Sequence, residues 1–594
     1  MARKWNSLAA IAMVIGVAVG CGGKERSDDA ASTPVPGSTS ASEDISASGD
    51  TSASGDSSAS VDTSASVDTS APGETSTEGD TTVPADPIAE LATTTEKGTQ
   101  PVDKITWAVY REVGSLDPIY SFDYPENTTI SLLCEGLLKQ NPLGEIVPGI
   151  ADAVYPDDTT FVFTIKPGVT FWNGDPVTAA DVVYSLERQR NPELGGFYGA
   201  TFSRVESITA SADDEVTFKL TEPDYFLLGE LAATPGWIVQ QKYVEAAGAD
   251  FGNPNGGTMC SGSYKLGDWA VGEQLSVVRN DTYWDPSVKP LVAQIDIVGV
   301  TDATARTAGL LSGDIDGTYL FGPLSTIDQL KGEVSITDGA GWNVDAFIVS
   351  NPDGVLADAK VRNALSMALD RASYIDNVFH GRATVPKSLV PPGTWGYARD
   401  VFAAAYAALP EITQDVEGAN ALVAGLGIEG KTLAIGFIGE DPGSSAEAAM
   451  YQTAAEAIGL KVELKPVTAD QYINFFIDAE FRKDVDGFFT VNYGDYADPS
   501  ALMATFSLPD GSQNYWGYAN PDVVAAFEAA RGLADPDARA AKVVEAQAMI
   551  VQDLPWIPSV FPTNTLITNK NLTGAVASFA YMFAPWANDL GGRG

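Results

Sequence analysis

The residues Gly425 to Thr432, GLGIEGKT, satisfy the pattern G-x-x-x-x-G-K-[ST] at every required position. In such a loop consecutive backbone N–H groups wrap a phosphate and a lysine neutralises it, provided a strand leads in and a helix leads out. Other chemistry has few reagents to draw on. The chain has one histidine, His380 in VFHGRA, and neither G-x-S-x-G nor H-E-x-x-H, so a Ser-His-Asp triad or a histidine-rich metal site lacks its members. The three cysteines, Cys21, Cys134 and Cys260, form no C-x-x-C, which argues against the usual zinc and redox pairings. No metal and no cofactor are expected. Carboxylates are abundant, with 79 Asp and Glu, so a two-carboxylate glycosidase is the enzymatic class that residue counting leaves open.

The elements around the loop decide its meaning. Ahead of it, VEGANALVAGLG puts Val416, Ala419 and Val423 on one helical face, and Gly425 and Gly427 can end that helix in left-handed conformations. Behind it, KTLAIGFIG alternates Leu433, Ile435 and Phe437, a strand pattern. The order is helix, glycine loop, strand, the reverse of a phosphate cradle, so no nucleotide site is expected and Lys431 should open a strand. Elsewhere TTFVFTIK, EVTFKLTEP and EQLSVVRNDTYW read as strands. TAADVVYSLERQR reads as a helix with Thr178 and Asp181 as a capping box, VRNALSMALDRASYIDNVF as one long amphipathic helix, and Ala540 to Leu554 as another. The mixture predicts α/β or α+β organisation in two lobes.

The first hundred residues differ in kind. Arg3 and Lys4 precede an apolar run from Leu8 to Val19, too short to span a bilayer and suited to a signal-peptide core, expected at 1–20. Ala18-Val19-Gly20-Cys21 resembles a bacterial lipobox, in which the cysteine becomes the lipidated first residue; Ala18 stands where Leu is commoner, and cleavage elsewhere would give a secreted protein. From Ile45 to Asp80 an acid-closed hexad recurs, ISASGD TSASGD SSASVD TSASVD TSAPGE TSTEGD, with too little apolar surface to offset ordering entropy. Residues 21–100 are therefore expected to form a disordered, self-repelling tether. With Cys21 assigned to lipid, Cys134 and Cys260 remain as a disulfide pair in an oxidising compartment, two unrelated buried thiols being the alternative. The net charge of -44 excludes a nucleic-acid partner, whose recognition needs a basic face.

Several segments in a fixed order carry a resemblance. CEGLLKQNPLGEIVPGIADAVYPDDTTFVFTIKPGVTFWNGDPVTAADVVYSLER, then LSVVRNDTYWD, LLSGDIDG, KVRNALSMALDRASYI, YGDYADPSALMATFS and AQAMIVQDLPWIPSV, resemble the family 5 extracellular solute-binding proteins, the dipeptide, oligopeptide and nickel group serving ATP-binding-cassette importers. The resemblance spans about residues 103 to 594. It implies an α/β, two-lobe periplasmic-binding-protein-like fold (type II, cluster C) with mixed sheets, flanking helices and a ligand cleft between lobes. The first lobe would occupy 101–340 and be completed by 561–594, with the second lobe at 341–560. The implied protein is a monomeric, non-enzymatic receptor, lipid-anchored on the outer face of the cell membrane, that passes short peptides to a permease with separate ATPase subunits. An oligosaccharide is the rival ligand, and the single histidine weakens the nickel branch.

The resemblance also implies a site. In peptide-binding relatives an aspartate in the segment reading NYGDYADP receives the peptide's α-amino group, and the matching residue is Asp495, flanked by Asn492 and Tyr493, with Asp498 closing the motif. A carboxylate in a closing cleft suits an ammonium ion, because pairing strengthens as water leaves. The competing reading has Asp495 and Asp498 merely capping a turn before Pro499. Tyr493 stands where many relatives have Trp. Tyr120, Phe122 and Trp342 are candidate cleft walls, with core packing the alternative for each. Arg362 and Arg371 are expected on solvated helix faces, and no arginine is assigned to a ligand carboxylate.

Overall fold

A computed structural model describes residues 87–320 and 324–594. The expected signal peptide, Cys21 and the hexad repeats lie outside the described residues. Residues 92–100, expected to belong to the tether, are instead bonded into the folded body: Ala92 N donates to Asp338 O, Thr95 N to Ala575 O and Gly98 N to Asp589 O, at 2.9, 3.0 and 2.9 Å. No described helix is long and apolar enough to cross a membrane.

Two sheets organise the lobes. In the first lobe seven strands run, edge to edge, Ser335–Gly339, Asn564–Thr568, Gly317–Leu320, Val102–Val109, Val292–Gly299, Gln274–Arg279 and Tyr264–Ala270. In the second lobe six strands run Ala383–Thr384, Trp556–Pro562, Val344–Val349, Gly487–Asn492, Thr432–Ile438 and Lys461–Val467. Both sheets mix parallel and antiparallel pairs. The first lobe carries a further antiparallel sheet, Ala151–Asp157, Thr160–Ile165, Glu215–Leu220 and Val205–Ala210, around its own core of Phe161, Phe163 and Phe218. Alternation explains that strand: Phe161, Phe163 and Ile165 turn inward while Thr164 faces water.

The chain crosses between lobes twice, from Ser335–Gly339 to Val344–Val349 and from Trp556–Pro562 to Asn564–Thr568. The crossings lie back to back: a Cβ on Gly341 would sit 2.2 Å from the Pro562 carbonyl oxygen, so only glycine lets the two backbones approach this closely.

Local signals acted as read in most places. Thr178 Oγ1 accepts from Asp181 N at 3.3 Å, and Asp181 Oδ2 accepts from Thr178 N at 3.1 Å, at the start of helix Ala179–Arg190. GLGIEGKT joins helix Val416–Val423 to strand Thr432–Ile438, with Gly425, Gly427 and Gly430 at φ 81°, 67° and 72°. The strand begins one residue beyond Lys431, whose own N–H is taken by Ile428 O at 2.9 Å. The loop leads into a strand, and no helix starts directly after it.

One expected element divides. VRNALSMALDRASYIDNVF forms two helices, Ala359–Ala368 and Arg371–Val378. Leu369 turns extended, at φ -67° and ψ 129°, and Asp370 restarts the helix by accepting from Ser373 N at 3.1 Å. An aspartate that can satisfy a free N–H favours a new N-terminus over continuation.

Candidate functional site

Strand Gly487–Asn492 runs into Tyr493, Gly494, Asp495, Tyr496, Ala497 and Asp498 before helix Pro499–Ser507. This segment of the second lobe lies directly against the first. The Gln140 side chain grips it from across the junction, donating through Nε2 to Asp495 O at 3.1 Å and accepting from Ala497 N at 3.2 Å. Tyr493 OH donates to Phe122 O at 2.8 Å, and its ring packs against Tyr124 and Phe579, with centroids 5.2 and 4.9 Å away. Further along, Arg531 pairs with Asp224 at 2.9 Å and Arg204 with Glu528. The lobes are closed on one another.

The two aspartates of the motif have separate environments. Asp498 is buried and caps the helix, accepting from Ser500 N at 2.7 Å. Asp495 caps nothing: among the described residues no donor reaches its carboxylate, and burial pushes that carboxyl up to about 7. The turn-capping reading therefore holds for Asp498 and fails for Asp495. Asn492 is turned to local bonds, donating to Gln513 Oε1 at 2.5 Å and accepting from Tyr493 N at 2.8 Å.

The aromatic candidates divide likewise. Tyr120 and Phe122 are each 39% exposed at the junction; Tyr120 OH donates to Leu194 O at 2.6 Å, and Phe122 meets the Phe197 ring edge-on at 4.4 Å. Trp342 is 1% exposed, its ring against Phe579 and Phe583; it belongs to the core behind the crossing and presents no cleft face. Arg362 and Arg371, expected on solvated faces, are each 3% exposed. Arg362 donates to Asp553 O, Leu554 O, Leu356 O and Ala357 O, and Arg371 to Pro558 O, Ser559 O and Ser366 O. A guanidinium has five donors, and buried carbonyls at strand and helix ends consume them.

Cys134 and Cys260 are joined by a disulfide across 126 residues of chain. Among the described residues no group of three His, Cys, Asp or Glu is placed to hold a metal. Two cavities, of about 310 and 440 Å³, lie elsewhere, one beside Lys387 and Glu411 in the second lobe and one beside Tyr283 and Lys289 in the first.

The residues that sequence reasoning missed are Gln140, Tyr198 and Glu230. The Asp495 charge reaches both Tyr198 and Glu230. All three belong to the first lobe, and no local pattern links them to residue 495.

With this geometry in view, residues 145–514 match the model of the bacterial extracellular solute-binding proteins, family 5, middle region. The periplasmic murein peptide-binding protein MppA of Escherichia coli is 27% identical over 492 residues, covering 78% of this chain and 88% of that protein. The dipeptide-binding protein DppE of Bacillus subtilis is 23% identical over 502 residues, covering 80% and 90%. The structure of DppA from Helicobacter pylori in complex with the peptide STSA superposes with TM-score 0.70 at 20% identity, covering 83% of this chain and 99% of that one. The protein is a two-lobe solute-binding receptor and not an enzyme. The chain belongs to the family 5 bacterial extracellular solute-binding proteins.

Proposed function

We propose that this receptor captures short peptides by their free amino terminus, with Asp495 as the anchor, and delivers them to an ATP-binding-cassette permease whose ATPase is a separate chain. One observation carries the reading: a half-buried carboxylate at the closed lobe junction, raised to about 7 by desolvation, with no donor from the described residues. Leaving such a group unpaired costs free energy, which a ligand ammonium offsets on arrival. Relatives named for dipeptides and murein peptides agree with that ligand class. Tyr493, with Tyr120 and Phe122 opposite, would border the peptide, while Asn492 would hold the turn that carries Tyr493. Residues 101–340 and 561–594 would move as one body and 341–560 as the other, hinged at the two crossings. A ligand touching both bodies shifts the population towards closure. Cys21 would carry the lipid that holds the receptor, as a monomer, at the outer face of the membrane, with the repeats as spacer.

The test is calorimetry with matched peptides, free or acetylated at the amino terminus. Free peptides should bind at micromolar Kd or tighter and acetylated ones at least about 100-fold more weakly, the scale of a charge-assisted bond. Equal binding of the two sinks the amine anchor. Binding of cello- or manno-oligosaccharides instead would replace the peptide. Cys21→Ala should release the protein into the medium, and retention in the membrane fraction would remove the lipid anchor.

A further inference from the structure

Glu230 lies in the short helix Leu227–Leu231 of the first lobe. Its neighbour Gly229 sits against the Tyr496 ring: a Cβ there would come within 2.2 Å of Tyr496 Cδ2. The segment carrying Glu230 thus packs against the ring of the residue next to Asp495, one from either lobe. Only a glycine at 229 permits that approach.

The charges gathered there do not balance. The charges of Asp495 and Asp224 both act on Glu230, and of the two cations that act on Asp224, Arg531 is paired with Asp224 Oδ2 at 2.9 Å while Arg204 is paired with Glu528. Asp224 itself is buried, and its Oδ1 has no partner among the described residues. Glu230 receives a hydrogen bond from Thr201 and no cation of its own; burial, then the charges of Asp495 and Asp224, push it up to about 8 against the opposing pull of Arg531. Tyr198 and Tyr496 complete the surroundings, both held neutral by burial. The site gathers three carboxylates, and both guanidiniums that reach it are already committed, Arg531 to Asp224 and Arg204 to Glu528.

We propose that Glu230 is a second anchor for the ligand's ammonium group, so that one cation is held by a carboxylate from each lobe and Glu230 determines the preference for unblocked amino termini. This rests on the reading of Asp495 given above. An ammonium group offers three donors, enough for Asp495 and Glu230 together, whereas an acetylated terminus offers one and no charge. Because the two acceptors stand on different lobes, the cation is satisfied only in the closed form, which is the differential contact that closure requires. On binding, the ammonium displaces the protons the two carboxyls hold near pH 7, so uptake is accompanied by proton release.

The experiment incubates the folded receptor at pH 7.5 with an equimolar pool of tri- to pentapeptides, half free and half acetylated at the amino terminus, and counts bound peptides by mass spectrometry. The readout is the free-to-acetylated ratio within one protein, which does not depend on how much of a variant is folded. Glu230→Gln should lower that ratio about tenfold, the scale of one hydrogen bond to a charged group. Glu230→Asp, which keeps the charge, should retain most of it, and Asp495→Asn should abolish it. A Glu230→Gln ratio equal to wild type, with Asp495→Asn still defective, overturns the role of Glu230 and leaves Asp495 standing. Equal loss in Glu230→Asp and Glu230→Gln also overturns it, since charge would not be the cause. A wild-type ratio of one, or no peptide bound at all, overturns the amine anchor and this inference together.

Discussion

Asp495 and Asp498 stand three residues apart in one loop, yet they do different work. Asp498 faces the start of helix Pro499–Ser507 and accepts from Ser500 N there, so its charge is used inside the fold. Asp495 lies at the junction, where its charge reaches Glu230, Tyr198 and Tyr493 and no donor from the described residues meets it, so that charge is left unused. The lesson is that a carboxylate's role follows from the donors within reach. Residue type and spacing alone do not assign it.

The largest contrast should come from removing each in turn. Asp495→Ala should cost about 3 kcal/mol in affinity for a free-amine peptide, more than 100-fold, with little change in Tm; calorimetry and a thermal melt of the same sample check both. Asp498→Ala should reverse the pattern, costing about 1–2 kcal/mol of stability through the lost cap while affinity changes only a few-fold. Swapped outcomes would mean that the two roles have been exchanged.

The next effect is on pH. Asp495 titrates in the folded protein near 7, above its unfolded value of about 4. The folded state therefore binds more protons across that interval, and the contribution of Asp495 to stability is present below about pH 4 and lost as pH rises towards 7. Glu230, Asp345 and Glu447, all raised by burial, act in the same direction. The difference between wild type and Asp495→Asn isolates one of them: the variant's Tm should fall less between pH 4 and pH 7.5. Burial raises Asp498 as well, so Asp498→Asn should flatten the curve in the same direction, with the amide oxygen still able to accept from Ser500 N.

Smaller still is Tyr493→Phe, which removes the bond to Phe122 O across the junction. A loss of about 1 kcal/mol, roughly fivefold in affinity, is expected with the melt unchanged. The smallest effect belongs to Lys431→Ala. ATP should shift Tm in neither wild type nor variant, and a Lys431-dependent shift would restore the nucleotide reading that the helix, loop, strand order removes.

How far the molecule could be read in advance depends on the range of the contact. The capping box at Thr178, the alternation in Thr160–Ile165 and the glycines closing Val416–Val423 were legible, because each is decided within a few residues by periodicity or by φ. Asp495 was legible only through resemblance. The errors share a cause. Arg362 and Arg371 read as surface residues because a helical pattern cannot show that carbonyls at 553, 554, 558 and 559 arrive to accept from them. Trp342 read as a cleft wall because Phe579 and Phe583, which cover it, return to the first lobe more than two hundred residues later in the chain.

The sequence by itself determined the local elements, the absence of a phosphate loop at GLGIEGKT, and the acidic, histidine-poor composition that leaves catalysis without reagents. It also determined the family, since many short segments agree in order. Only the tertiary structure decided which carboxylate is spare. Burial and the distance to a donor are properties of the closed junction, where Gln140 meets Asp495 across 355 positions of chain. Electrostatic cost depends on that proximity and desolvation, and neither is written in the spacing of residues along the chain.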